Sequence, residues 1–210
     1  MKKLSLLLTA LCLQVLAVHA QPSASFTQPQ KSGKDNFHLN IHVTEGINDS
    51  GYLIDLYNHG GKIRDRIGRI SVKEKETSFS TRLDDIYLAD VTATFPDGSV
   101  CTHCMRFPFV PGETAELKVM NGSFYLSGTG FYRQWIKADE LVENAHKYHK
   151  QSETDSLIRN YLKEHCAEEG CVLYYVKNNV LPIETIREMV PPSILNGRFK
   201  NIIELYVMCR

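Results

Sequence analysis

The sequence predicts an α+β protein, an N-terminal antiparallel β-sandwich or open barrel followed by a C-terminal helical segment. Three observations predict it. From Phe37 to Ser127, short apolar runs alternate with polar residues and are cut by turn residues. After Gly128-Thr129-Gly130, apolar residues recur at helical spacing. The two patterns are segregated along the chain, whereas a parallel α/β sheet would interleave them. A hydrophobic fraction of 43% over 210 residues is ordinary for a globular protein, so wholesale disorder is excluded.

Residues 1–20 read as a secretory signal peptide. Lys2 and Lys3 give the charged start, Leu4 to Val18 the apolar stretch, and Val18-His19-Ala20 the small-x-small cleavage pattern. Cys12 lacks the small residue that normally precedes a lipidated cysteine. Cleavage removes two lysines and no acids, taking the chain from 24 basic and 24 acidic residues to 22 and 24. No apolar run reaches the roughly 20 residues of a bilayer span, so no membrane span is expected after cleavage. Without a basic excess, no nucleic-acid partner is expected either. Residues 21–36, rich in Gln, Ser, Pro, Lys and Gly, read as a flexible leader.

The β-rich domain is expected over 37–130. Phe37, Leu39, Ile41 and Val43 alternate with His38, Asn40, His42 and Thr44, the two-residue period of a half-buried strand. Gly51 to Tyr57 is a second run, ended by Asn58-His59-Gly60-Gly61. Val91 to Phe95, Pro96-Asp97-Gly98 and Ser99 to Phe109 read as a hairpin. Glu116 to Met120, Asn121-Gly122 and Ser123 to Ser127 read as another. The helical segment is expected over 131–210. Trp135, Ala138, Leu141, Val142, Ala145 and Tyr148 form one stripe, and Leu157, Ile158, Tyr161 and Leu162 a second. Cys171 to Val176 reads as a buried helix. Pro182 stands where the next helix begins, with Ile183, Ile186 and Met189 on one face, and Pro191-Pro192 breaks it. Phe199, Ile202, Ile203, Tyr206 and Val207 form the last stripe.

Export permits disulfides. Five cysteines remain after cleavage, namely Cys101, Cys104, Cys166, Cys171 and Cys209, so at least one is left without a partner inside the chain. Cys101-Thr102-His103-Cys104 is the conspicuous spacing. A redox Cys-x-x-Cys normally opens a helix, whose dipole lowers the thiol pKa. Here Met105-Arg106-Phe107-Pro108-Phe109-Val110-Pro111 follows and forbids one. In a regular strand the two Cα atoms would stand about 10 Å apart, beyond the ~7 Å limit of a disulfide. The pair closes only if a turn or bulge bends the backbone. Three readings stay open for Cys101 and Cys104: thiols without chemistry, a structural disulfide, or a redox pair. Cys166 and Cys171 read as a local disulfide closing the Ala167-Glu168-Glu169-Gly170 turn. Their loose spacing does not match a four-ligand zinc site, so no metal is expected.

His146 and His149 share a helical face without an acidic companion, the pattern of a solvated surface. His38 and His42 lie on the polar side of the first strand, and Asp49, Asp84 and Asp85 are turn carboxylates. There is no Gly-x-Ser-x-Gly elbow. Gly128-Thr129-Gly130 is too short for a phosphate cradle, so no cofactor is expected. Asn48-Asp49-Ser50 and Asn121-Gly122-Ser123 match the glycosylation pattern and fall at predicted turns.

Several short motifs occur in a familiar order. Ser78-Phe79-Ser80 follows a charged run, and Val91 to Gly98 ends in a Pro-Asp-Gly turn. Phe109-Val110-Pro111-Gly112-Glu113 and Leu126-Ser127-Gly128-Thr129 come next. Tyr161-Leu162-Lys163-Glu164-His165 and Glu188-Met189-Val190-Pro191-Pro192-Ser193-Ile194 complete the series. From about Phe37 to Tyr206 the chain resembles the N-terminal domain of unknown function that precedes a thioredoxin-like domain in secreted thiol–disulfide oxidoreductases of Gram-negative bacteria. The resemblance implies a β-domain, a helical segment and a periplasmic or outer-envelope location. It carries no catalytic residues. In those proteins a Trp-Cys-x-x-Cys site does the redox work, whereas this sequence ends at Arg210 and its one tryptophan, Trp135, has no cysteine beside it. The expectation is an exported, non-enzymatic binding or accessory module. Its partner would be a protein, a thioredoxin-like one among the candidates, or an envelope ligand. The alternative is a thiol–disulfide accessory using Cys101 and Cys104.

Overall fold

Nine strands and six helices follow one another in the computed structural model, which describes residues 23–26, 32–44, 52–58, 66–94, 98–120 and 123–208. The signal sequence, Cys12, Cys209, Asp49 and both glycosylation asparagines lie outside the described residues. Strands β1 (Ser23–Phe26), β3 (Tyr52–Asn58), β4 (Arg66–Val72), β6 (Tyr87–Thr94) and β7 (Val100–Phe109) form an antiparallel sheet in the order β1-β4-β3-β6-β7. Strands β2 (Phe37–Val43), β5 (Glu76–Thr81), β8 (Thr114–Met120) and β9 (Ser123–Gly128) form a second sheet in the order β5-β2-β8-β9. Within it β2 and β8 run parallel, the one parallel pairing among the described strands.

The two sheets make a sandwich because each strand has one apolar face. β2 alternates buried Phe37, Leu39, Ile41 and Val43 with exposed partners, as its sequence period requires. These meet Ile54, Leu56, Ile70, Val91, Phe107 and Phe109 from the larger sheet in one core. Phe37 and Phe109 lie 4.2 Å apart between ring centroids, a contact made between the sheets. Residues 23–26, inside the expected leader, form β1 and pair with β4 from Ser23 opposite Ser71 to Phe26 opposite Gly68.

The helices form the C-terminal part: α1 (Gly130–Tyr148), α2 (Gln151–Glu164), α3 (Glu169–Lys177), α4 (Ile183–Met189), α5 (Pro192–Leu195) and α6 (Lys200–Met208). α1 buries Phe131, Tyr132, Trp135, Ala138, Val142 and Ala145; of the expected stripe, Leu141 is half-buried and Tyr148, at the helix end, is exposed. α3 is buried on almost every side, from Gly170 to Val176, as its unbroken apolar run demands. Gly170 permits the close crossing: a Cβ there would stand 2.1 Å from the Phe131 carbonyl oxygen. Pro191-Pro192 ends α4 and also starts α5, with Pro192 in the first turn where its missing N–H costs nothing.

Pro111, Glu113, Gly128 and Thr129 meet at the junction of sheet and helices. Gly128 has φ +139°, and a Cβ on it would lie 2.2 Å from the Thr114 carbonyl oxygen, so glycine is required there. Thr129, the N-cap of α1, donates its hydroxyl to the Glu113 carboxylate. Arg198 donates to Glu113 at 2.6 Å, to the Pro111 carbonyl at 3.2 Å and to Glu169 at 2.8 Å. It thereby ties the β7–β8 turn to the first turn of α3.

Candidate functional site

The site begins with an irregularity in β7. Opposite it, β6 advances two residues from Val91 to Ala93, while β7 advances four from Cys101 to Met105. The two extra residues are a bulge, and a bulge bends its strand. It brings the Cα atoms of Cys101 and Cys104 to 5.9 Å, and the two cysteines form a disulfide. Both are partly exposed. The backbone condition set by the sequence is thus met by a bulge and not by a turn between strands.

Among the described strands β7 is outermost in its sheet and β9 in the other, and the two lie near each other. Pro108 has no N–H and is tolerated in a ladder only where that position faces outward. Its carbonyl indeed turns away from β6 and accepts the buried Tyr132 hydroxyl of α1 at 2.6 Å. By the two-residue period, the backbone of Arg106 faces outward as well.

A cavity of about 440 Å³ opens between β7 and β9. Cys104, Met105 and Arg106 of β7 line one side, and Phe124, Tyr125 and Leu126 of β9 the other. Trp135, Ile136, Asp139, Glu140 and Glu143 of α1 complete it. Tyr125 is 50% exposed at the rim. Asp139 accepts the Tyr174 hydroxyl at 2.7 Å, and Trp135 stacks edge-on against Tyr174 at 5.3 Å. Burial, then the Asp139 bond, hold the Tyr174 phenol protonated far above its usual range. Lys177 at the end of α3 is pushed down to about 8 by burial and then by the Arg106 charge.

Sequence reasoning missed a charged row on the larger sheet. Arg69 of β4, Asp55 of β3, Asp90 of β6 and Arg106 of β7 are consecutive cross-strand neighbours. Asp55 accepts two bonds from Arg69, at 2.6 and 2.8 Å, and one from Arg66 at 3.4 Å. Asp90 accepts from Arg106 at 3.3 Å. Both acids are buried. The signal was a lone aspartate inside an apolar run, in Leu53-Ile54-Asp55-Leu56 and in Leu88-Ala89-Asp90-Val91. The row does sheet-pairing work and leaves Arg106 fixed at the cavity wall.

Cys166 and Cys171 are free thiols, which corrects the expected local disulfide. Cys171 is the third residue of α3 and is turned wholly into the core, while Cys166 sits in the preceding turn, partly exposed. Burial pushes the Cys171 thiol up to about 12. His146 and His149 are exposed, and His149 lies 3.5 Å from Glu153. His38 and His42 are exposed on the outer face of the smaller sheet, where they meet Ser80 at 2.8 Å and Glu76 respectively. Asp85 accepts the Ile86 N–H at 2.8 Å and Asp84 the Tyr87 hydroxyl, the turn roles expected of them. Among the described residues, no three His, Cys, Asp or Glu side chains gather as metal ligands. No helix among them is long and apolar enough to cross a membrane.

No family model, curated protein or solved structure matches this chain.

Proposed function

We propose that this protein is an exported, non-enzymatic binding or accessory module of a Gram-negative cell envelope. The N-terminal pattern and the resemblance of its motifs support the location. The observation that carries the binding reading is the cavity between β7 and β9, the outermost described strands of their sheets, floored by α1. Edge strands expose unpaired backbone groups, and sandwiches normally blunt them or use them for docking.

Two measurements test this. The protein recovered from the envelope fraction should have Gln21 as its N-terminal residue. A photo-reactive phenylalanine derivative placed at Tyr125 in living cells should give one discrete adduct. The same group at Leu157, exposed on α2 away from the cavity, should give none. Equal labelling at both positions, or none at Tyr125, overturns the binding reading.

A second reading is favoured by the bulge: a thiol–disulfide accessory using Cys101 and Cys104. A thiolate of a dithiol protein, a thioredoxin-like one for example, would attack one sulfur and release the other as thiolate. The resulting mixed disulfide would be resolved by the second partner thiol, leaving the partner oxidised and this chain reduced. Alkylation with and without mild reduction tests it. A Cys101–Cys104 bridge that opens and recloses reversibly supports exchange, and one that resists reduction assigns the pair to structure alone.

A further inference from the structure

The floor of the cavity is apolar at one end and acidic at the other. Trp135, Ile136, Asp139, Glu140 and Glu143 stand at i, i+1, i+4, i+5 and i+8 on α1, so they share one helical face. From Ile136 the helix rises about 6 Å to Glu140 and about 10.5 Å to Glu143, at 1.5 Å per residue. Glu140 and Glu143 are exposed, and among the described residues neither has an ion-pair partner. Lys147, spaced to reach Glu143 along the helix, lies instead over the Tyr148 ring, 5.0 Å from its centroid. Asp139 spends Oδ1 on the Tyr174 hydroxyl and has Oδ2 left. Arg106, on the β7 side, is engaged with Asp90. The cavity wall therefore carries negative charge that the chain does not neutralise.

We infer that the cavity takes a small primary ammonium compound with an unbranched apolar body. Its N–H groups meet Asp139, Glu140 and Glu143, and its chain lies along α1 against Ile136 and Trp135. A volume of 440 Å³ falls within the range of about 300–1,000 Å³ of small-molecule sites. A primary ammonium has three donors and no acceptor, which suits three carboxylates. Three acids against one engaged arginine exclude an anion. A neutral alcohol would forgo the charge-assisted bonds, which are about twice as strong as neutral ones. Phe124 and Tyr125, on the β9 side, add aromatic rings, whose faces attract cations. This inference rests on the binding reading above and names the ligand's chemistry.

Trp135 is the only tryptophan in the chain, so its fluorescence reports occupancy directly. The probes are n-hexylamine, which is cationic at neutral pH, n-hexanol, hexanoate and methylamine. The hexylamine should bind at least tenfold tighter than hexanol or hexanoate, which share its chain, and than methylamine, which shares its charge. Glu140→Gln with Glu143→Gln, both at exposed positions, should weaken hexylamine at least fivefold. The same variant should leave hexanol binding and the unfolding midpoint unchanged. Equal affinity for amine and alcohol, or tighter binding of hexanoate, overturns the charge assignment. Equal affinity for hexylamine and methylamine overturns the apolar end of the site. Undiminished binding of hexylamine by the variant overturns the role given to the two glutamates. If no probe binds while the Tyr125 adduct persists, the inference fails and the binding reading stands. If the adduct is absent too, both fail.

Discussion

Replacing Arg198 by alanine should destabilise the protein by about 3 kcal/mol. The figure is built from the contacts. Glu113 is 11% exposed in its side chain, so its 2.6 Å bond to Arg198 is a largely desolvated, charge-assisted one worth about 2 kcal/mol. Glu169 is 31% exposed, and its pairing with Arg198 is worth about 0.5 kcal/mol, as exposed ion pairs are. The guanidinium also lies 4.8 Å from the Phe199 ring centroid, adding about 0.5 kcal/mol. At 2–4 °C per kcal/mol for a chain of this size, the melting temperature should fall by roughly 6–12 °C.

Urea unfolding checks the number: the midpoint should drop with the slope unchanged, since the surface exposed on unfolding is the same. Arg198→Lys keeps the charge but cannot span Glu113, Pro111 and Glu169 at once, so it should recover about half. The Arg198→Ala, Glu113→Gln cycle should show coupling of about 1–2 kcal/mol. A loss below 1 kcal/mol, or additivity in the cycle, would refute the claim that this cluster locks the helices to the sheets.

The other expectations are simpler. Gly170→Ala places a methyl 2.1 Å from a backbone oxygen of α1 and should cost about 1–3 kcal/mol by thermal unfolding. Tyr132→Phe removes a buried hydroxyl and leaves the Pro108 carbonyl without it, a loss of about 1–2 kcal/mol. Lys177 has its folded pKa lowered from 10.5 to about 8, so wild-type stability should rise as pH climbs from about 8 to 10.5. Lys177→Met should lack that rise: it gains about 1 kcal/mol at pH 7, discounted for partial exposure, and the gain fades by about pH 10.5. At pH 8 a small alkylating reagent should label Cys166 well before Cys171, whose burial holds its thiol near 12. Unfolding in urea should equalise the two.

What the sequence discloses and what it hides follow from the range of the forces involved. Strand β2 and helix α1 are each written in their own side chains, because one face of each is buried and its period survives undisturbed. Strand β4 is not. Arg66, Gly68 and Arg69 interrupt its period, and the reason lies in Asp55, eleven or more residues away, which needs an arginine opposite it. Strand β1 is four residues long and owes its place to the β4 edge, so no local signal could mark it. The cysteines divide the same way. The closing of Cys101 to Cys104 depends on how many residues β7 spends opposite β6, which is a property of two strands together. Cys166 and Cys171 look like a loop staple until α3 begins between them and turns one thiol into the core.

The cavity is the extreme case. Each of its three walls was legible as a strand or a helix, yet nothing in any one wall says that β7 and β9 lie near each other. That juxtaposition is a property of the folded sheets and helix together, seen in the residues of β7, β9 and α1 that line one cavity. Asp139, Glu140 and Glu143 of α1 therefore share a wall with Arg106 of β7, and charges at a partly enclosed wall are screened less than the same charges on an open helix.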